Sequence, residues 1–521
     1  MPHMNAGAAS APARDRASRA SPIWKERRLG IGLTVGIAAL AGVLISVTLP
    51  RGPTTQTQAL LVLVGSLIVG VLAGLAMRSR WAMLLTPLVH IVALELTRPQ
   101  LLGPTVGPIR LDTIYGVLAF LLGRGLYGLV AILPMILGAY LGTVLAHELS
   151  GAARPSRHAF VRWTPTVLDT LILVALAVWI ALPASTPPIL GADGAPLPGS
   201  IAELTSVRLG GHDQTIMIRG YRMDKPVLLY LNGGPGQSGL PFTRVELDDL
   251  SRDFVIVDWD QRGAGKSYAA LDPTATLTLD QAISDTIELT NYLRQRFDER
   301  KIYVVGESWG SILGVLTVQR QPALFYAFIG SGQMVSVRET DRRFYQDVLD
   351  LAARNRNTEL AATMRSYGQP PYADIPYANV FAMSQYESLY TPYTPSQAYM
   401  DRGNASGIGP YGVLASEYNL VEKFNLLRGL MDMFTVLYPQ LQELDFRRDV
   451  QRLDLPVYIL DGAAELAARR DLTHEWFNRL DAPTKRMFTL ENAAHSVAFE
   501  QFEAFGTIMR ETVLPATYQT R

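Results

Sequence analysis

The pattern of apolar and polar positions changes once along the chain, close to residue 183. Before this point, long apolar runs with few charges are separated by short polar segments, and each run has about the length of a membrane-spanning helix. The five predicted spans are residues 29–49, 57–77, 81–96, 126–146 and 165–182. A further apolar stretch, 113–122, is too short to cross a bilayer, and we interpret it as an interfacial or re-entrant segment that ends at Arg124. The first part of the chain is therefore predicted to be an α-helical membrane domain.

After residue 200, short apolar runs alternate with stretches of helical periodicity. The predicted strands are 201–209, 214–220, 227–231, 254–258, 301–305, 326–330, 456–460 and 486–490. The first two strands form an antiparallel pair, and helices are predicted at 279–297 and 311–319. Strands that alternate with helices indicate a mostly parallel α/β sheet. The stretch 335–450 is rich in tyrosine and proline, and we interpret it as an inserted helical cap.

These patterns divide the chain of 521 residues into six segments. They are, in order, a disordered basic tail (1–28), a transmembrane helical domain (29–182), a linker (183–200), the first part of the α/β core (201–334), the cap (335–450) and the second part of the core (451–521). The chain thus combines a membrane domain with a domain of soluble character.

Charge separates the same two regions. The whole chain has 47 basic and 47 acidic residues, but residues 1–183 contain 15 Lys or Arg against 6 Asp or Glu, and residues 184–521 contain 32 against 41. The basic residues of the first region concentrate in the tail, in the loop at 78–80 and in the loop at 154–162. Because positively charged loops stay in the cytoplasm, we predict an integral plasma-membrane protein whose N-terminus is cytoplasmic and whose C-terminal domain is extracytoplasmic.

The most specific chemical motif is the sequence Gly-Glu-Ser-Trp-Gly at 306–310, which lies between a predicted strand and a predicted helix. In such a G-x-S-x-G turn, the glycines allow a tight bend that exposes the serine hydroxyl above the edge of the sheet. Ser308 is therefore the predicted nucleophile. Two backbone N–H groups are predicted to stabilise the oxyanion: that of Trp309 and that of Gly234, in the glycine-rich loop after the third strand.

A serine nucleophile needs a base and a carboxylate that orients it. Of the seven histidines, His495 lies on the loop after the last predicted strand, so it is the predicted base. The acid is expected after the preceding strand, because acid follows nucleophile and precedes histidine in this chain order. Glu465 is the first choice, Asp461 is the alternative, and Asp471 is a third candidate.

Residues 201–515 resemble the α/β-hydrolase fold and, within it, the proline iminopeptidase group of serine peptidases. The motifs that carry the resemblance are Gly-Gly-Pro-Gly at 233–236, Asp-Gln-Arg-Gly-x-Gly-x-Ser at 260–267, Gly-x-Ser-Trp-Gly-Ser at 306–311 and Ala-His at 494–495. The resemblance implies release of an N-terminal residue, often proline, from short peptides, without a metal or a cofactor. The chain departs from the family at Asn232, where histidine is usual, at Glu465, where aspartate is usual, and in its membrane domain.

The resemblance also implies that glutamates of the cap hold the free amino group of the substrate. The candidates are Glu387, Glu417 and Glu422 in the cap. Glu307, beside the predicted nucleophile, is a further candidate for substrate binding. The cap region also holds a run of tyrosines that pack it or line a pocket.

The function predicted from the sequence is therefore that of a membrane-anchored serine hydrolase with a Ser-His-Glu triad and an acyl-enzyme intermediate. Its predicted partners are a short peptide, or another small acyl substrate, and the lipid bilayer. A nucleotide partner is not expected, because the Gly-Lys-Ser at 265–267 has Asp260 where a phosphate-binding loop needs glycine. Nucleic acid, metal and cofactor are not expected either, and the absence of cysteine excludes a thiol nucleophile. Two alternatives stay open, a carboxylesterase or lipase-like enzyme and a non-catalytic membrane sensor or scaffold.

Overall fold

The computed structural model of the protein describes residues 27–150, 159–401 and 414–518. Most of the predicted tail, part of the basic loop at 154–162 and part of the predicted cap lie outside these residues. The chain divides into two compact units. The helical unit contains the chain up to Pro53 with Thr57–Gln100 and Gly125–Ala181, and the α/β unit contains Thr54–Gln56, Leu101–Arg124 and Leu182–Arg521. The α/β unit thus takes in two short stretches of the predicted transmembrane domain, and the six segment bounds stay predictions.

The N-terminal helices are strongly apolar. They are α1 (Arg27–Thr48), α2 (Gln56–Met77), α3 (Ala82–Thr97), α4 (Ile114–Phe120), α5 (Leu133–Leu149) and α6 (Ala159–Ala181). Three helical stretches are long and apolar enough to cross a membrane: Arg28–Thr48, Gln56–Met77 and Ile114–Leu149. Two more, Ala82–Thr97 and Thr166–Ala181, are apolar but shorter. A membrane domain is thereby supported for three spans of the predicted five.

The segment at 113–122 is not the separate interfacial piece that its length suggests. α4 continues through π-helical turns at Leu121–Gly125 and Gly128–Ile132 into α5, which gives one helix of 36 residues. Arg124 and the surrounding glycines lower the local hydropathy. The apolar pattern of the sequence is therefore interrupted at this point, although the helix continues. A Cβ atom on Gly123 would come within 1.8 Å of the Thr105 carbonyl oxygen, so glycine is required at this close approach.

Within the helical unit, α2 and α5 approach each other through glycines. A Cβ atom on Gly70 would lie 2.2 Å from the Met135 carbonyl oxygen, and one on Gly142 would lie 2.1 Å from the Val71 carbonyl oxygen. Small residues spaced by four allow helix backbones to pack closely in a bilayer, where the hydrophobic effect supplies no force between helices.

The α/β unit is built around one sheet of eight strands. In chain order the strands are β1 (Ile201–Leu209), β2 (His212–Gly220), β3 (Val227–Leu231), β4 (Val255–Asp260), β5 (Ile302–Glu307), β6 (Phe325–Ser331), β7 (Val457–Gly462) and β8 (Lys485–Leu490). Their spatial order is β1-β2-β4-β3-β5-β6-β7-β8. β2 is antiparallel to β1 and β4, and all other neighbours are parallel. The mostly parallel sheet is confirmed, and each predicted strand end lies within two residues of the observed one.

Helices cover both faces of this sheet, which explains why the central strands are almost continuously apolar. Between the early strands lie α7 (Leu240–Glu246), α8 (Leu279–Arg296) and α9 (Trp309–Arg320). Alternate strand residues such as Leu229 and Val304 join one apolar cluster, and their neighbours Leu228 and Val305 join a second cluster on the other face.

A helical insertion separates β6 from β7, where the cap is predicted. Its described helices are α10 (Val337–Arg354), α11 (Thr358–Ser366), α12 (Ile375–Met383), α13 (Tyr386–Leu389), α14 (Gln397–Asp401), α15 (Leu420–Leu437) and α16 (Phe446–Asp449). The chain then continues through α17 (Ala467–Arg479), between β7 and β8, and ends with α18 (Val497–Glu500), α19 (Phe502–Ile508) and α20 (Leu514–Thr517). The carboxyl ends of β5 to β8 therefore meet at one edge of the sheet, beside the start of this insertion.

Candidate active site

Ser308 forms the turn between β5 and α9. Its φ of 52° and ψ of −116° are unusual for a residue with a side chain, and such strain is characteristic of functional turns. The turn requires glycine on both sides. A Cβ atom on Gly306 would lie 2.3 Å from the Gly310 carbonyl oxygen, and one on Gly310 would lie 1.9 Å from the Leu231 carbonyl oxygen. The turn is also fixed by its backbone, because the Ser308 N–H donates to the carbonyl oxygen of Ser331 at 3.1 Å.

His495 lies on the loop after β8, and its imidazole contacts a carboxylate. Its Nδ1 is 2.5 Å from Oε2 of Glu465, on the loop after β7. The ring is 21% exposed, whereas the Glu465 side chain is only 4% exposed. A carboxylate at Nδ1 leaves Nε2 free to act on a hydroxyl, which is the arrangement of a general base.

One residue that the sequence did not single out packs against this ring. Gly332 has a φ of 53°, and a Cβ atom there would lie 3.0 Å from Cε1 and from Nδ1 of His495. Its neighbour Ser331 accepts the hydrogen bond from the Ser308 N–H. The end of β6 therefore touches both the nucleophile turn and the imidazole.

Glu465 is held by a second charged group, which no sequence motif marks. Its Oε1 accepts hydrogen bonds from Nε of Arg469 at 3.0 Å, from Nη2 of Arg469 at 2.8 Å and from the Leu466 N–H at 2.7 Å. Burial alone would raise the pKa of Glu465, but the opposite charges of Arg469 and His495 outweigh it and hold this pKa well below its usual range. The carboxylate thus stays ionised. Its Oε1 accepts three hydrogen bonds, and its Oε2 is directed to the imidazole.

The other two acid candidates do not contact His495. Asp461 Oδ2 is 2.9 Å from Nε2 of His474, on α17. Burial raises the pKa of Asp461, partly offset by His474. Asp471 is half-exposed, 4.0 Å from Nε of Arg470. Of the three predicted acids, the one beside the imidazole is Glu465.

The glycine-rich loop after β3 lies against Ser308. A Cβ atom on Gly233 would be 3.2 Å from the Cβ atom of Ser308, and Gly234 has a φ of 111°, which favours glycine. The Trp309 N–H begins α9, where a helix leaves its first N–H groups without intrahelical partners. Of the two predicted oxyanion donors, Trp309 follows Ser308 directly, and Gly234 is the next residue after the Gly233 that lies against Ser308; their role stays a prediction.

Asn232, where the chain departs from the family, secures this loop to the sheet. Its Nδ2 donates to Oδ1 of Asp258 in β4 at 2.5 Å. Its carbonyl oxygen accepts from Nε2 of Gln261 at 3.4 Å, and Oε1 of Gln261 accepts from Nε1 of Trp309 at 2.9 Å. The Asn232 side chain thus fixes this loop to β4, and its backbone carbonyl connects the loop through Gln261 to the indole of Trp309.

The four glutamates predicted to bind the substrate lie in different surroundings. Glu307 is buried and accepts a hydrogen bond from the Tyr230 hydroxyl at 2.6 Å. Glu417 is buried in an ion pair with Arg244, and Glu422 forms an ion pair with Lys266. Glu387 is exposed on α13. Arg and Lys therefore already neutralise two of the four carboxylates, and the role of all four stays a prediction.

A buried carboxylate outside the predicted set supports the histidine loop. Glu500 Oε2 accepts a hydrogen bond from the Ala494 N–H at 2.6 Å. Burial raises the pKa of Glu500, and its bonds to the backbone of this loop act in the opposite direction. Within the described ranges, no group of three or more His, Asp or Glu side chains is placed to hold a metal ion.

Comparison with known proteins shows what the α/β unit is similar to. The family described as alpha/beta hydrolase fold matches residues 226–417. The Bacillus subtilis (strain 168) protein named "Probable aminopeptidase YbaC" is 28% identical over 311 residues, which cover 60% of this chain and 96% of that protein. The chain is therefore similar to α/β hydrolases and, among them, to the proline iminopeptidases. The resemblance read from the motifs is thereby confirmed, and apolar helices that fit a membrane domain precede this hydrolase.

Shorter and more distant similarities exist as well. The proline iminopeptidase of Lactobacillus helveticus (strain DPC 4571) is 32% identical over 108 residues, which cover 20% of this chain and 35% of that enzyme. The crystal structure of a proline iminopeptidase-related protein from Thermus thermophilus matches 61% of this chain and 98% of its own, at 20% identity and a TM-score of 0.42.

Proposed function

We propose that this protein is a membrane-anchored serine hydrolase of the aminopeptidase type, which releases N-terminal residues from short peptides. The observation that carries the proposal is the contact of His495 Nδ1 with Glu465 at 2.5 Å, at the sheet edge where Ser308 forms a strained strand-to-helix turn. Nucleophile, acid and base follow in the chain order that α/β hydrolases use.

In the proposed reaction, Ser308 Oγ attacks the acyl carbonyl carbon while His495 Nε2 takes the hydroxyl proton. Glu465 orients the imidazole and stabilises its charged form. The N–H groups of Trp309 and Gly234 donate to the oxyanion of the tetrahedral intermediate. His495 then gives its proton to the leaving amine, the acyl-enzyme forms, and a water molecule activated by His495 releases the acid and restores Ser308.

The peptidase assignment is supported by the names of similar proteins, one an aminopeptidase and one a proline iminopeptidase. It requires that the enzyme demand a free α-amino group on the residue it releases. A panel of aminoacyl arylamides, including prolyl arylamide, compared with the same compounds N-acetylated and with short acyl esters, tests this demand. Hydrolysis of the free arylamides alone supports the peptidase, and turnover of the esters alone would replace it with a carboxylesterase.

The same panel tests whether Ser308 is the nucleophile. Ser308→Ala is expected to abolish turnover, and Ser284→Ala, at a partly exposed serine on α8, serves as the matched control. If wild type showed no turnover on any substrate and no reaction with a fluorophosphonate, the protein would be a sensor or scaffold instead of an enzyme.

We further propose that five helices cross the membrane, although two of them are short. The loops 54–56 and 101–113 belong to the same compact unit as the residues from 182 onward. Thr105 donates to Asp432 from its N–H at 3.1 Å and from its hydroxyl at 2.5 Å, and Asn425 Nδ2 donates to the Thr54 carbonyl oxygen at 2.8 Å. Groups that share such hydrogen bonds stand on one side of a bilayer.

If these loops and the residues from 182 onward lie on the same side of the membrane, the number of helices that cross it is determined. After α2 the chain is on the opposite side, so α3 must cross back for residue 101 to reach Asp432. After α5 the chain is again on the opposite side, and α6 must cross for residue 182 onward to return. α3 has 16 residues, about 24 Å of helix, and local thinning of the bilayer accommodates a span of that length. Arg78 and Arg80 then lie on the other side, which the positive-inside rule makes the cytoplasm of the cell.

The absence of cysteine makes this topology directly measurable. Single cysteines replace the exposed residues Arg80, Asp112 and Asp193, one variant at a time, in intact cells. A membrane-impermeant maleimide is expected to label Asp112→Cys and Asp193→Cys at once, and Arg80→Cys only after permeabilisation. Labelling of Asp112→Cys and Asp193→Cys from opposite sides would overturn the five-span arrangement.

A further inference from the structure

We propose that three tyrosines of the helical insertion position the catalytic imidazole, so that activity depends on how the insertion is seated. We call Tyr386, Tyr390 and Tyr393 the tyrosine segment. Two of its hydroxyls bind the guanidinium that holds Glu465, and the third contacts Glu500, which holds the loop of His495. The inference rests on the proposed roles of Ser308, His495 and Glu465.

The link to Glu465 runs through Arg469. Arg469 is 5% exposed and lies in the first turn of α17, four residues after Glu465. Its Nη1 donates to the Tyr386 hydroxyl at 3.2 Å, and its Nη2 donates to the Tyr390 hydroxyl at 3.0 Å. Its Nε and Nη2 also bind Oε1 of Glu465. The guanidinium is planar and rigid, so groups that fix one of its edges also fix the direction of the other.

The tyrosines are themselves held in place by aromatic contacts. The ring of Tyr386 meets that of Phe344 on α10 edge to face, with centroids 4.6 Å apart. It also meets the ring of Tyr390 at 6.3 Å, and Tyr390 meets Tyr393 at 5.9 Å, both edge to face. The guanidinium carbon of Arg469 lies 5.0 Å from the centroid of the Tyr386 ring. The tyrosine segment is therefore a packed row and not three independent side chains.

A second link reaches the backbone of the loop that carries His495. The Tyr393 hydroxyl donates to Oε1 of Glu500 in a long contact of 3.4 Å, and Oε2 of Glu500 accepts from the N–H of Ala494, next to His495. The tyrosine segment thus reaches Glu465, which contacts the imidazole, through Arg469, and it directly contacts Glu500, which binds the backbone of the His495 loop.

The tyrosines are not needed to compensate the negative charge of Glu465. Arg469 already supplies the compensating charge, and two phenol hydroxyls add no net charge. What they add is direction: with Oε1 bound by the guanidinium and the Leu466 N–H, Oε2 stays aimed at Nδ1 of His495. A small misalignment of a general base costs rate and leaves substrate binding nearly unchanged. The tyrosine segment therefore acts on kcat and not on KM.

The test removes the hydroxyls and leaves both charges. In Tyr386→Phe/Tyr390→Phe we expect kcat to fall about tenfold with KM within about twofold, because the imidazole is less well aligned. The rate at which a fluorophosphonate labels Ser308 should fall in parallel, since that reaction needs the base but no peptide binding. Tyr372→Phe, a buried tyrosine of the same apolar cluster, is the matched control and should leave both rates unchanged.

A second variant keeps the account testable if the double variant is unstable. Arg469→Lys retains the charge but loses the bidentate geometry, and it should lower kcat and the labelling rate in the same direction at unchanged KM. Unchanged kcat and labelling in folded variants, or a change in KM alone, would overturn the positioning role. If instead wild type neither turned over substrate nor reacted at Ser308, the proposed function would fail and not this inference alone.

Discussion

Two carboxylate–histidine pairs have their carboxylates only four residues apart, Asp461 near the end of β7 and Glu465 on the loop after it, and the surroundings of the two pairs differ. Asp461 contacts His474, and Glu465 contacts His495. Burial raises the pKa of Asp461, whereas Arg469 and His495 reverse the effect of burial at Glu465 and lower its pKa. A carboxylate beside a histidine is therefore not by itself a catalytic pair. What distinguishes Glu465 is a compensating guanidinium and a partner imidazole that stands at the sheet edge near Ser308.

The largest expected difference between the pairs lies at the histidines. His495→Ala removes the proposed base and should lower kcat by about 10⁴-fold, because the nucleophile is no longer activated. His474→Ala is the matched control, and we expect its kcat within about twofold of wild type. Steady-state kinetics on the best arylamide measure both. Equal losses in the two variants would remove the distinction between the pairs.

The acids come next. Glu465→Gln keeps the size of the side chain but leaves the imidazole without its counter-charge, and we expect a fall in kcat of about 10³-fold. Asp461→Asn should change kcat by less than about threefold. If the Asn variant lost activity and the Gln variant kept it, Asp461 would be the acid of the triad.

These acids also show how far the sequence could lead. Chain order and the strand pattern led to Ser308, His495 and a short choice of acids, because the edge of a parallel sheet collects the residues that follow its strands. Chain order and strand pattern do not distinguish Glu465 from Asp461 with certainty, because the direction of a side chain in a short loop cannot be derived from the periodicity of the sequence. The contact of Arg469 with Glu465 could not be predicted, because it also depends on the direction of side chains. The spacing of four residues between them is nevertheless a signal that a search for buried ion pairs would find.

Two other features could be recognised only in the three-dimensional structure. Gly332 has no motif, and its role follows only from the ring of His495 lying against it. The helix Ile114–Leu149 was divided in two by hydropathy, because Arg124 and its neighbouring glycines interrupt the apolar pattern. Strand positions, by contrast, were predicted closely, since strands buried on both faces are continuous apolar runs.

Gly332 offers a smaller and sharper test of the catalytic pair. Gly332→Ala adds a Cβ atom 2.4 Å from the His495 carbonyl oxygen and 3.0 Å from its ring, so we expect kcat to fall about tenfold as the imidazole shifts. Gly368→Ala is the control, because Gly368 also has a positive φ, of 78°, but open space around it. It should lower thermal stability without changing kcat. Normal kinetics in folded Gly332→Ala would show that the ring tolerates displacement.

The smallest expected effect is a difference of sign in the pH dependence of stability. The pKa of Glu465 is lowered by folding, so its contribution to stability is present above about pH 4.3, the ordinary value of a glutamate, and is lost as the pH falls. The pKa of Asp461 is raised, so ionised Asp461 costs stability as the pH rises.

Thermal unfolding in detergent between about pH 3 and 7 measures both effects. The melting temperature of Glu465→Gln should lie below that of wild type, and this difference should become smaller as the pH falls. The melting temperature of Asp461→Asn relative to wild type should rise as the pH increases. The same trend in both variants would contradict the assigned difference between the two carboxylates.

The claim on which all of this depends is that Ser308 is a nucleophile activated by His495. Fluorophosphonate labelling of the full-length protein in detergent, with the modified peptide identified by mass spectrometry, tests it most directly. We expect one label on Ser308 in wild type, none in Ser308→Ala, and labelling in His495→Ala slowed by about 10³-fold or more, with His474→Ala unchanged. Labelling at another serine, or equal rates in the two histidine variants, would contradict the account.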